Sequence, residues 1–204
     1  DPALYYKGGG ADLQLYDAAF ESVHPDDKVG LAMKVCDEIM GKDERIISAG
    51  SSYNDGDNFR YMVASNGFEG EASNSFFSLV GTVSIRGEGD ARPESYWFDS
   101  SLYYGTLIKE GIGTKALERV RRKLGQRKIA SARMPMVVDF LSSARLLSPV
   151  INALYGSSIQ QKNSFLLDKL NQKTLGEKMT LTDEPHLLRS SGARYFDSEG
   201  IATQ

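Results

Sequence analysis

From residue 25 onward, apolar side chains return at helical intervals: Val29, Ala32, Met33, Cys36, Ile39 and Met40. Pro25 suits a first helical position, Asp26 and Asp27 complement the positive end of the helix dipole, and Gly41 stops the run. The spacing predicts a helix, with Cys36 a small hydrophobe on its apolar face. After Gly41 the period shortens. RIISAGSSY, FRYMVAS, FEGEAS, SFFSLVGTVSIRG and ESYWFDSS are short runs rich in β-branched and aromatic residues. Asn54-Asp55-Gly56, Asn66-Gly67 and Gly87-Glu88-Gly89-Asp90 separate them as turn signals. Asn66-Gly67 between two such runs predicts a hairpin on a type I′ turn, which needs positive φ at both centres. The pattern is an antiparallel meander over about 45–105. Its many Ser, Thr and Gly leave at least one face for water or another protein.

Thr114 to Leu124 reads as a second helix, apolar at Ala116, Leu117, Val120 and Leu124 and basic at Lys115, Arg119, Arg122 and Lys123. MPMVVDF predicts a buried strand near 134–139. LSSARLLSPVINALYG predicts a helix interrupted or restarted at Pro149 and ended by Gly156. The opening YYKGGGADLQLYD reads as a glycine-punctuated loop, because no strand, helix start or Lys-Ser/Thr pair makes its glycines a phosphate cradle. The expected class is α+β: an antiparallel meander with flanking helices, followed by the start of a second, mostly β C-terminal domain. Boundaries fall at 1–43 for the leading loop and helix, 44–128 for the sheet and basic helix, and 129–204 for the next domain.

The chain of 204 residues is 41% hydrophobic and 25% charged, with a formal net charge of −3. That balance argues against bulk electrostatic binding of nucleic acid, and the basic helix lacks interleaved aromatics. No stretch is long and apolar enough for a membrane span. Cys36 is the single cysteine, which points to a reducing, cytoplasmic setting and leaves no thiolate cluster. The opening at Asp1-Pro2 reads as a segment cut from a longer protein. His24 and His186 stand far apart, short of the three or four ligands of a zinc site. His24 sits at a helix entrance as a structural group, and His186 lies in a polar loop. No serine has nucleophile-elbow surroundings. Asp197 and Glu199, within Asp197-Ser198-Glu199-Gly200, offer too few oxygens for a calcium loop and read as turn-formers.

Particular words of the sequence carry a resemblance. SFLLDKL, PHLL and FDSEG resemble the TldD/PmbA family, more closely its PmbA (TldE) branch. GSSYND, VASNGFEG and RKIASARMPMVV fit the family's middle region and the join after it. The similarity runs from about Val23 onward and is most specific over Ser164 to Thr203. The family is known as a two-subunit cytosolic metalloprotease and historically as modulators of DNA gyrase. Its TldD branch carries His-Glu-x-x-x-His on a helix before the FDSEG-like loop, where two imidazoles bind zinc and the glutamate acts as base. The corresponding helix here, about Ser142 to Leu154, has neither His nor Glu. The resemblance therefore implies a non-catalytic PmbA/TldE-like subunit with no catalytic, cofactor or metal residues in this segment. Zinc is expected in a TldD-type partner, and the substrate is an extended or unfolded peptide. Asp197, Ser198, Glu199 and Gly200 become a family loop marker, a candidate for cleft or partner contact. The alternative is a non-proteolytic interaction protein acting on DNA gyrase or another DNA-associated target.

Overall fold

The computed structural model describes residues 2–204. The chain forms two compact units: residues up to 127 together with 184–204, and residues 128–183 between them. The first unit is α+β. Its sheet has three antiparallel strands in the order β1 (Ile46–Val63), β2 (Glu69–Ile85) and β3 (Glu94–Ser101). Helices α1 (Pro25–Asp37) and α2 (Ile112–Arg121) pack on one face of that sheet.

The five short runs expected from the sequence fuse into three strands: Asn54-Asp55-Gly56 does not turn, and FEGEAS runs on into SFFSLVGTVSI. Tertiary partners hold Asn54-Asp55-Gly56 extended. Asp55 pairs with Lys28 of α1 at 2.6 Å and accepts the Tyr53 hydroxyl at 3.2 Å. Gly56 lies under the Phe76 ring, where a Cβ would come within 2.6 Å of Phe76 Cε1. Burial, with Asp55 beside it, pushes the Tyr53 phenol above its ordinary pKa.

The hairpin at Asn66-Gly67 forms as expected, but on a different turn. Gly67 N–H donates to Ala64 O at 3.0 Å, and of the pair Gly67 alone has positive φ, at 91°. Ala64 N–H donates to Phe68 O at 3.0 Å, so the loop is a type I turn closed by a left-handed glycine.

The helix at residue 25 also forms as read. His24 caps it, its Nδ1 accepting Asp26 N–H at 3.3 Å, and Gly41 leaves it at φ 72°. Its buried face is rotated from the expected one. Val35 and Ile39 are fully buried, whereas Met33 is 61% exposed and Val29 and Met40 are exposed too. Close backbone approach explains the choice. A Cβ on Gly113 would lie 2.3 Å from Val35 O, and one on Gly81 would lie 2.7 Å from Val35 Cγ1. Two glycines thus let α1 settle between β2 and α2. Around it, Phe77, Leu79, Val83 and Ile85 of β2 meet Ile112, Ala116, Leu117 and Val120 of α2. Burying each of these larger side chains contributes roughly 1.5–3 kcal/mol. The basic face of α2 is partly used in packing: Lys115 Nζ and the Arg119 guanidinium lie 4.9 and 5.3 Å from the Trp97 ring centroid.

In the second unit, the strand expected near 134–139 is not formed. Its apolar run has no neighbouring strand among the described residues, and Met136 and Val137 are 72% and 98% exposed. A strand needs a partner for its backbone as well as a β-rich composition. Helix α3 (Phe140–Leu154) follows, with Asp139 capping it by accepting Leu141 N–H at 2.9 Å. It runs through Pro149 without a break, correcting the expected interruption. Gly156 opens the short α4 (Gly156–Gln160). Ser164 ties the following loop back to α3, donating to Ala153 O at 2.6 Å.

Candidate functional site

Beyond α1 and α2, the far half of the β1–β2 hairpin is flanked by two segments from the chain's extremes. The first is a strap over residues 6–17. Its fastenings are hydrogen bonds: Leu13 N–H to Tyr195 Oη at 2.9 Å, Tyr195 hydroxyl to Ala11 O at 3.1 Å, and Tyr103 hydroxyl to Gln14 O at 3.0 Å. Ser75, fully buried in β2, receives Asp17 N–H at 2.9 Å on its Oγ and donates that hydroxyl to Leu102 O at 2.7 Å. The leading loop expected from the glycines is therefore a fastened strap.

The second segment carries Asp197-Ser198-Glu199-Gly200. Asp197 Oδ1 accepts the backbone N–H groups of Glu199 and Ile201 at 2.8 and 2.9 Å, a side-chain-closed turn. Gly200 takes φ 86°, and a Cβ there would lie 2.7 Å from the Phe68 ring. Gly200 O accepts Tyr6 N–H at 3.0 Å, while Phe196 stacks on Tyr6 and meets Phe68 edge-on, with centroids 5.6 and 5.3 Å apart. The Arg60 guanidinium lies 5.5 Å from the Phe196 ring centroid and donates to Asp197 O at 3.3 Å. Ser198 and Glu199 are exposed. The four residues thus close a turn whose glycine seats on the hairpin tip.

Strap, hairpin and Tyr195 border an open cavity of about 680 Å³, lined among others by Tyr6, Asp12, Tyr61, Glu69, Glu71 and Tyr195. A smaller one of about 280 Å³ adjoins it and shares Asp12, Glu71 and Tyr195. The sequence reading missed these acids. Glu69-Gly70-Glu71 did hold a signal, since alternate residues of a strand share a face. Asp12 joins them only through the fold. His24 and His186 do not enter the cavity lining: His24 caps α1, and His186 Nε2 lies 3.1 Å from Thr203 Oγ1.

Among the described residues, no group of three or more His, Cys, Asp or Glu is placed to hold a metal ion. Helix α3 offers Ser, Arg, Asn and apolar side chains, so its donor set does not fit zinc. Among the described residues, no helix is long and apolar enough to cross a membrane.

Comparison with known proteins gives this arrangement relatives. The family model described as the PmbA/TldA metallopeptidase central domain matches residues 18–124, and that of the C-terminal domain matches residues 131–204. The Haemophilus influenzae metalloprotease PmbA homolog is 30% identical over 95% of this chain and 43% of its own length. The Escherichia coli O157:H7 metalloprotease PmbA is 26% identical, again over 95% of this chain and 43% of its own. The chain therefore spans less than half the length of these curated relatives. A crystal structure from Bacteroides thetaiotaomicron, described as a modulator of DNA gyrase, matches with a TM-score of 0.96 and 62% identity, over all of this chain and 47% of its own. Thermococcus kodakarensis TldE shares the fold, with a TM-score of 0.66 at 19% identity over 98% of this chain and 44% of its own. With its sheet, helices and both family domains matched in order, the chain belongs to the PmbA/TldD metallopeptidase family.

Proposed function

We propose that this chain belongs to a non-catalytic, PmbA/TldE-like subunit of a cytoplasmic TldD/TldE-type metalloprotease. The observation that carries this reading is α3. Where the TldD branch places His-Glu-x-x-x-His, residues 142–154 carry neither histidine nor glutamate. Zinc then resides in a TldD-type partner, and this subunit helps form the cleft for an extended peptide. The exposed Ser198 and Glu199, held out by the Asp197 turn, are the residues we assign to cleft or partner contact.

The test is reconstitution. The protein alone leaves unstructured peptides intact; mixed with its TldD-type partner, it co-elutes on size-exclusion chromatography and the mixture cleaves them until a chelator is added. Chelator-sensitive cleavage by this protein alone, or no association at micromolar concentration, overturns the reading. The description carried by the Bacteroides structure supports a second reading, action on DNA gyrase without proteolysis. That reading requires the purified protein to alter supercoiling by gyrase with no peptide cleaved.

A further inference from the structure

We propose that the free edge of β2 over Glu69–Ser73 docks an extended peptide segment carrying lysine or arginine at alternate positions. This inference rests on the peptide-binding reading above and adds to it a place and a side-chain preference.

The place follows from hydrogen-bond alternation. β3 pairs with β2 only as far as Phe77, opposite Ser101. Beyond that point, among the described residues, one side of β2 has no strand beside it. Phe68 O receives Ala64 N–H across the hairpin, so residue 68 faces β1. Ser75 N–H points the other way, donating to Leu15 O of the strap at 3.1 Å. Backbone groups alternate along a strand, so Glu69, Glu71 and Ser73 turn their N–H and C=O groups to the same side as Ser75. None of the three has a backbone hydrogen bond outside the β1 ladder among the described residues. Three donors and three acceptors in register, bordering the 680 Å³ cavity, are what an added strand requires.

The preference follows from the side chains. Glu69 and Glu71 share a face with Val63 and Tyr61, their partners on β1. Tyr61 donates its hydroxyl to Glu69, and the same carboxylate raises the phenol's pKa. Across the cavity stand Asp12, Tyr6 and Tyr195. None of Asp12, Glu69 and Glu71 is ion-paired among the described residues. Directly opposite residues of neighbouring strands lie about 5 Å apart at Cβ. A lysine opposite Glu71 on an added strand would bring its ammonium among uncompensated carboxylates and phenol faces, which attract a cation from two directions. A glutamate there would meet like charge.

The probe is a fluorescein-labelled peptide, acetyl-Ser-Lys-Thr-Lys-Thr-Gly-amide, followed by anisotropy with the protein alone and in its complex with the TldD-type subunit. Its acetyl-lysine counterpart and one N-methylated at alternate backbone positions are the controls. The lysine peptide should bind about tenfold tighter than the acetyl-lysine one, the scale of one well-placed charge pair. Salt should shrink that margin, and the N-methylated peptide should bind more weakly. Glu69→Gln with Glu71→Gln, both on exposed residues, should erase the charge preference while leaving the melting temperature unchanged. Equal binding of charged and neutral peptides, equal binding of the N-methylated peptide, or a preference that survives the double substitution overturns the proposal. Binding of no peptide overturns it together with the peptide-binding reading. Co-elution with the TldD-type subunit, measured separately, reports on the subunit assignment alone.

Discussion

Glu38 holds the start of α2 from outside that helix: its Oε2 accepts Gly113 N–H at 2.8 Å, and its Oε1 accepts Gly111 N–H at the same distance. Gly111, the residue before α2, has no side chain to cap it, so the carboxylate at the end of α1 does the work of an N-cap. One residue thereby joins two helices that the chain separates by the whole sheet. Glu38→Ala should lower stability by about 1–2 kcal/mol, within the range for lost caps and charge-assisted hydrogen bonds. Urea unfolding of the two proteins side by side measures it, and Glu38→Gln should fall between them.

Gly113 makes a sharper prediction. A methyl group there meets the carbonyl oxygen of Val35, which cannot step aside without moving α1. Gly113→Ala should destabilise the first unit by about 3 kcal/mol, the upper range for overpacking. Gly105, where a Cβ would meet nothing within 4 Å, is the matched control. Thermal melts of both variants should separate them clearly.

Asp43 links pH to stability. Its carboxylate accepts from Arg45 Nη2 at 2.7 Å and Arg121 Nε at 2.8 Å. Hydrogen bonds from Arg45 first, then Arg121, hold it well below the usual carboxylate range. A depressed folded pKa means the contribution is complete above the unfolded value of about 3.9 and fades as pH falls below it. Asp43→Asn should therefore lower the urea midpoint at neutral pH. The gap from the parent protein should narrow steadily as the pH is lowered below 4.

Ser75 pins the strap from inside the sheet. Ser75→Ala leaves Asp17 N–H and Leu102 O without their hydroxyl partner and should destabilise by about 1–3 kcal/mol. Hydrogen exchange at the Asp17 amide should accelerate more than exchange at Val83, deep in the β2 core.

Those parts of the fold written in local sequence were legible. Pro25 with its acidic first turn marks a helix start, and Asn66-Gly67 marks a hairpin whatever surrounds it. Local reading fails where a distant residue decides. Asp55-Gly56 looks like a turn until Lys28 and the Phe76 ring are supplied, and α1's buried face is chosen by Gly81 and Gly113. MPMVV has a strand's composition without a strand's neighbour among the described residues. At the site, Asp197 was legible as a turn-former because the N–H donors its carboxylate accepts from lie within four residues. The cavity acids were not, because Asp12 joins Glu71 in the cavity lining only once the strap is fastened by Tyr195 and Ser75.

The seating of Gly200 and Phe196 on the hairpin tip also bears on the order of events during synthesis. Arg60 meets Asp197 137 residues further along the chain. At about 5–20 residues per second, a ribosome needs on the order of ten seconds to supply that partner. For that interval the far half of the hairpin, with Phe59, Tyr61 and Val63 outermost, exists as a nascent ribbon lacking its clasp. The residues that clasp the hairpin tip are translated long after its strands, so completion of the first unit lags well behind the making of its sheet.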